Sequence, residues 1–381
     1  MLFRSTLTLD QHDSLFVTVM LVERQRVRAV EISSKSGGDN NGAAFLRALS
    51  TSLHDIALNG LSDKVIQIVE KADIIHPTIV RCHINYDSGI IVIEHSETVD
   101  STPNNVVSLD YYALHRNDGS DTGKILLSAA TTTALDSYNI TIDLTEGQRV
   151  LAIAISGTPG GIGGVDSGKD PVEPARLRVL AGAFRDIALN LNEAPQDILF
   201  LETPDTTPPR VTAAAINYGT GILTLTTNEI VDTTRKDAGA VEGEGQNVPR
   251  RVNLTALSLQ NKDTAVVRDR LFGFAKSDVI GLVDAEVTEF DADTIVIKLT
   301  ESQRVHAIAF SNTPGGDIDA DSGGDGSAAI LVALPTSVVD IGTNRNVQRF
   351  SLVMQETADA IRPTITDATL NYGTGELVIT A

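Results

Sequence analysis

The chain's first signal is alternation. After Pro209, Leu223 and Leu225 alternate with Thr224 and Thr226, the two-residue period of a strand with one buried face. Ile91 with Ile93, and Leu377 with Ile379, repeat it. Each of these stretches follows a turn sequence, Asn-Tyr-Asp-Ser-Gly at 85–89 or Asn-Tyr-Gly-Thr-Gly at 217–221 and 371–375. The closing glycine can take the positive φ of a tight connection. Hairpins are therefore predicted over 77–97, 209–229 and 363–381. Further strands are predicted at 107–115 and 252–260, 139–144 and 294–299, 177–180 and 330–334, 198–201 and 350–353. The expected inward-facing residues are Val80, Cys82, Ile84, Ile91 and Ile93 in one core, and Ile216, Leu223, Leu225, Leu254 and Leu257 in the next.

One element departs from the two-residue period. Thr145 and Thr300 are each followed three residues later by Gln, the signature of a helix-capping box, and Val150 with Ile153, or Val305 with Ile308, then fall one turn apart. This predicts one short helix per repeat, ended by the glycine pairs 160–161 and 315–316. Ala152 to Ile155 also suits a strand.

These features recur together. The Val22-to-Val27, Thr145-to-Val150 and Thr300-to-Val305 elements each precede a glycine pair. Asp55-Ile-Ala-Leu-Asn59, Asp186-Ile-Ala-Leu-Asn190 and Asp340-Ile-Gly-Thr-Asn344 follow, and then an acidic joint: Glu70 to Asp73, Glu202 to Asp205, Glu356 to Asp359. Cutting at the joints gives a partial module over 1–74, complete modules over 75–205 and 206–359, and the first strands of another over 360–381. The fold class expected is all-β: tandem immunoglobulin-like β-sandwich modules, each with about seven strands and one short helix. A chain that begins and stops within modules is expected to be a segment of a longer array, or else a subunit whose residues 360–381 complete residues 1–74 of a neighbour by strand donation.

Composition narrows the partners. Fifty acidic residues against thirty basic ones leave a net charge of −20, which repels phosphate backbones and anionic membrane surfaces. Nucleic acid and direct membrane insertion are not expected. Tryptophan is missing and aromatics make up 4%, so the cores are expected to be aliphatic. The single cysteine, Cys82, rules out an intrachain disulfide framework. It aligns with Ala214 and Ala368, which favours a buried thiol over an intermolecular disulfide.

Asp205-Thr-Thr-Pro-Pro209, Asn228-Glu-Ile-Val-Asp232 and Asp186-Ile-Ala-Leu-Asn190 give the chain a family likeness. It resembles the tandem bacterial-type and algal immunoglobulin-like, cadherin-like repeats of very large surface and filament proteins. That resemblance implies an extracellular, calcium-associated, structural or adhesive array without catalysis. Residues 235–251, charged and glycine-rich, depart from the plain repeat and are expected to form a surface loop.

Calcium is the expected cofactor, at two places. In an end-to-end array Glu202, Asp205, Glu229, Asp232, Asp186 and Asn190 are expected to converge near one pole, where a cation would relieve carboxylate repulsion. The alternative is that they cap turns. Asp317, Asp319, Asp321 and Asp325 crowd one loop, but Ser322 and Ala328 stand where the helix-loop-helix calcium pattern needs Gly and Glu, so a solvated loop competes. Asn139 and Asn253 begin N-glycosylation triplets. The histidines match no metal spacing, no nucleophile elbow is present, and Gly160 to Gly164 lacks the Lys-Ser/Thr of a phosphate cradle. The expected function is a non-catalytic structural repeat of an extracellular filament or cell-surface fibre, such as a flagellar hair or pilus-like appendage, polymerised with copies of itself. The alternative is a calcium-dependent adhesin binding sugar or another cell. An accessory module of a secreted enzyme would need catalytic motifs elsewhere.

Overall fold

The computed structural model describes residues 15–39, 41–119, 123–164, 167–169, 171–234, 252–261, 279–288, 290–316, 318 and 326–380. The chain is mostly β and divides into two compact units, Met1–Asp205 and Thr206–Ala381.

Unit 1 opens with helix α1 (Glu23–Glu31) and an antiparallel pair, β1 (Phe45–Ala48) and β2 (Lys64–Gln67). There follow β3 (Ile79–Asn85), β4 (Ile90–Val99), β5 (Tyr112–His115), β6 (Ile125–Leu126), β7 (Thr131–Thr132), β8 (Ser137–Asp143), helix α2 (Glu146–Ala154), β9 (Arg176–Val179) and β10 (Gln196–Thr203). These strands hydrogen-bond in the order β6-β5-β9-β10-β3-β4-β8-β7. All neighbours are antiparallel except β10, which runs parallel to β3 and sets Phe200 opposite Cys82.

Unit 2 repeats the order. It comprises β11 (Val211–Asn217), β12 (Ile222–Val231), β13 (Leu257–Gln260), β14 (Val279–Gly281), β15 (Glu286–Val287), β16 (Ala292–Lys298), helix α3 (Glu301–Ile308), β17 (Ile330–Ala333), β18 (Arg349–Val353) and β19 (Gln355–Thr357). The counterpart of β10 is split into β18 and β19, so the strands form a five-stranded sheet, β15-β16-β12-β11-β19, and a four-stranded one, β14-β13-β17-β18. Ile216, Leu223, Leu225 and Ile295 of the first share one core with Leu257, Leu259 and Leu331 of the second. A terminal hairpin, β20 (Asp367–Asn371) with β21 (Glu376–Thr380), stands as its own two-stranded sheet.

Local sequence explains these elements. On β12 Leu223 and Leu225 are buried while Thr224 and Thr226 are half-buried, as the alternation requires. Gly89, Gly221 and Gly375 close the three hairpin turns at φ of 68°, 67° and 74°. Helices α2 and α3 begin as predicted, with Thr145 and Thr300 accepting from the backbone N–H of Gln148 and Gln303. In α1, where Val22 replaces Thr, only the return bond survives: the Gln25 side chain accepts from Val22 N–H at 3.1 Å.

Four expectations are corrected. Val80 is exposed, because a register shift between Ile79 and Arg81 turns it outward and puts Ile79 in the core. The strands predicted at 107–115 and 252–260 form only in their last four residues. Short 3₁₀ turns at Leu109–Tyr111 and Leu254–Ala256 precede them. The helices stop several residues before the glycine pairs. Gly161 instead lets the following loop close on the helix end, where a Cβ would lie 2.3 Å from the Ser156 carbonyl oxygen. Nor are the cores purely aliphatic: Tyr86, Tyr112, Tyr218 and Phe184 are among the largest fully buried side chains.

Candidate metal centre

Three acidic side chains of unit 1 come together from distant points in the sequence. Asp73 lies in the extended segment after β2, Glu97 near the end of β4, and Asp186 at the tight turn after β9. Each offers a carboxylate oxygen, and the three oxygens lie within 4.8 Å of one another. Backbone pairing fixes two of them, since the Val99–Asp186 bridge and the Asp100 N–H to Arg185 carbonyl bond of 2.9 Å tie the turn to β4. Asp186 is also clasped by Asn190, whose backbone N–H and side-chain amide each donate to it at 2.8 Å. The Asn190 amide donates to the Asp73 carbonyl as well, at 3.2 Å.

Arg26 of α1 supplies the facing positive charge. It donates to Asp73, to Glu97 Oε2 at 2.7 Å and, in a fork, to Glu23. One guanidinium shared among these carboxylates leaves the group negative. Glu97 is 93% buried, and its Oε1 has no hydrogen-bond partner among the described residues. Burial, with Asp186 and Asp73 adding to it against the opposing pull of Arg26, pushes the Glu97 carboxyl up to about 7. Burial likewise raises Asp186, against the stabilising bonds from Asn190. A buried, acid-only cluster with an unsatisfied oxygen has the donor chemistry of a hard divalent cation site.

Each residue singled out from the sequence has its own partners within its unit. Asp186 and Asn190 do sit together, with Asn190 acting through its N–H groups. Glu202 accepts from Tyr86 Oη at 2.7 Å, Ala175 N–H at 3.0 Å and Gly157 N–H at 2.9 Å, so it is a structural acceptor. Asp205 is ion-paired at 2.6 Å with the buried guanidinium of Arg149. In unit 2, Glu229 is buried near the end of β12 and offers an oxygen within 4.8 Å of one on Asp340. Asp232 accepts from Thr234 Oγ1 at 3.1 Å. Asp317, Asp319, Asp321 and Asp325 lie outside the described residues, as does the insertion 235–251. Asn139 is exposed on β8. Asn253 instead starts a 3₁₀ turn, its side chain accepting from Thr255 N–H at 3.1 Å.

Asp73 and Glu97 were missing from the sequence-derived set. They occupy in their copy of the repeat the positions of Asp205 and Glu229, so superposing the copies would have found them. No helix among the described residues is long and apolar enough to cross a membrane. A scan against protein-family models finds no match to the chain, and neither does a search of curated proteins.

Proposed function

We propose that this chain is a non-catalytic structural repeat segment of an extracellular filament or cell-surface fibre. Its copies are tandem immunoglobulin-like sandwiches whose joints are stiffened by a divalent cation. The observation that carries this reading is a fastening repeated in every copy. The helix arginine holds the joint aspartate in Arg26 with Asp73, Arg149 with Asp205 at 2.6 Å and Arg304 with Asp359 at 2.6 Å. Each arginine is also gripped by the glutamate three residues before it. A joint pinned the same way each time favours a rod of set geometry over a flexible string. Calcium fits the unit 1 cluster best. Asp73, Glu97 and Asp186 would hold it, with Glu97 Oε1 the oxygen already free, and hard oxygen ligands suit that ion. When bound, it supplies positive charge where two buried carboxylates and the half-buried Asp73 otherwise repel.

Two measurements test this. Electron microscopy of untreated source material is expected to show an ordered polymer; isolated rods would favour the adhesin instead. In ionic-strength-matched buffers, 1 mM calcium is expected to raise the melting temperature by several degrees over chelator, since ligand at about 100 times its Kd adds about 2.7 kcal/mol. Glu97→Gln is expected to abolish the difference. Identical melting with and without calcium in the unsubstituted chain removes the metal from the proposal.

A further inference from the structure

The unit 1 cluster already holds a cation, and that cation is part of the chain. Arg26 donates through Nη1 to Asp73 Oδ2 and through Nη2 to Glu97 Oε2 at 2.7 Å. Among the described residues it is the one basic side chain ion-paired with Asp73, Glu97 or Asp186. The same guanidinium is held by Glu23, with Nε on Oε2 at 2.6 Å and Nη2 on Oε1 at 2.7 Å. Glu23 is itself fixed to β4, since its Oε1 accepts from Thr98 N–H at 2.9 Å.

The arginine's bonds therefore fall into two sets. The fork to Glu23 spans only three residues of α1 and does not depend on the cluster. The bonds to Asp73 and Glu97 go to two of the three carboxylates that a metal ion would use. The third, Asp186, accepts from Asn190 at both of its oxygens, and the other oxygen of Asp73 accepts from Ile75 N–H at 3.0 Å. Glu97 Oε1 is left without a partner among the described residues, on a side chain that is 93% buried. A cation drawn to that oxygen meets the guanidinium as a like charge. It has to take Asp73 and Glu97 over from Arg26.

Charge decides which ions can do so. A sodium ion brings one unit of charge in place of one, so it gains no Coulombic attraction and forfeits two charge-assisted hydrogen bonds. A divalent cation brings two charges to the same carboxylates, and a hard one takes several oxygens at once. The arginine it releases is not left unpaired, because Glu23 keeps it.

We propose that Arg26 is the selectivity-determining residue of the unit 1 site, the resident counter-ion that a divalent cation displaces from Asp73 and Glu97 and that sodium does not. The proposal rests on reading the cluster as a calcium site, and says how that site rejects monovalent ions. Arg26 and calcium then weaken each other's hold on the cluster by the same factor. Helix α1 stays tied to β4 throughout, by way of Glu23 and Thr98.

Calcium binding to the full chain is measured by titration calorimetry in sodium chloride and in tetramethylammonium chloride of equal ionic strength, the second cation being too large to sit among three carboxylates. The unsubstituted chain is expected to give the same Kd within about twofold in both salts. Arg26→Gln is expected to bind calcium about tenfold tighter or more in tetramethylammonium, the size of one charge-assisted hydrogen bond that calcium no longer has to break. In sodium it is expected to lose most of that gain, because sodium can enter the vacated place. Its melting temperature in chelator is expected to fall, whereas a merely structural arginine would lower stability and affinity together. Arg28→Gln removes the same charge from the same helix, at a residue paired with Glu31 at 2.6 Å, and is expected to match the unsubstituted chain. Side-chain nitrogen NMR of Arg26 in the unsubstituted chain needs no variant to fold, and its signals are expected to shift on adding calcium and not on adding sodium. The role of Arg26 is overturned if folded Arg26→Gln binds calcium no tighter, if sodium weakens calcium binding to the unsubstituted chain as much as to the variant, or if the Arg26 signals are unmoved in saturating calcium. Each of these leaves the calcium reading standing. No calcium binding by either chain would remove that reading and this proposal with it.

Discussion

At the scale of single residues, conformation and burial decide behaviour that residue type alone does not. Leu189 lies at φ 71° in the turn that Asp186 and Asn190 clasp, and Leu58 and Thr343 take φ of 66° and 71° in the matching turns. A side chain held there is strained, and the turn persists because Asp186 over-determines it with two hydrogen bonds. Leu189→Gly is therefore expected to stabilise unit 1 by about 0.5–1 kcal/mol, seen as a rise of a few degrees in melting temperature. A fall would show that the half-exposed leucine packs more than it strains. Cys82 is a second case. Burial pushes its thiol up to about 12, against a small opposing pull from Arg176. At pH 8 the thiolate fraction is then on the order of 10⁻⁴, and a neutral buried thiol is a poor nucleophile. Iodoacetamide is expected to label Cys82 only as fast as unit 1 unfolds, with labelling in urea quicker by about a thousandfold or more. Prompt labelling in native buffer would contradict the burial.

The same tyrosine and glutamate link elements. Tyr86 follows β3 and Glu202 ends β10, so their 2.7 Å bond ties the first hairpin to the closing strand, as Tyr218 and Glu356 do in unit 2. Burial raises the Glu202 carboxyl despite the bonds it accepts, so each donor matters. Removing one donor from a half-buried carboxylate such as Glu202 costs about 1.5–3 kcal/mol. Tyr86→Phe is expected to lower the urea midpoint accordingly without changing the slope. A loss under 0.5 kcal/mol would mean that Ala175 and Gly157 alone satisfy the carboxylate. The Asn-Tyr pair was legible as a turn signal, and the turn is there. Its tyrosine was not legible as a core residue, because the partner lies 116 positions away. The bulge that expels Val80 is hidden for a similar reason: alternation marks a strand but not the point where one residue is inserted in its ladder.

At the scale of the whole molecule, charge sets the terms. A net charge of −20 opposes compaction, and the structure answers with arginines placed at the joints. The calcium-dependent melting belongs here. It asks whether a cation completes the neutralisation of the unit 1 cluster.

The sequence by itself determined the repeat, the three hairpins and their turns, and the capped helices. All of these rest on contacts within a few residues or on internal recurrence, which can be read along a line. It also named Asp186 and Asn190, because their clasp spans only four residues. Only the tertiary structure decided that Asp73 and Glu97 join Asp186, that Glu202 is occupied by Tyr86, and that Glu97 keeps an oxygen unpartnered. These groups meet through pairings between β4 and a turn nearly ninety residues later, and between parallel strands over a hundred residues apart. Long-range register sets which carboxylates are buried side by side, and that register emerges only when the whole hydrophobic pattern closes into sheets.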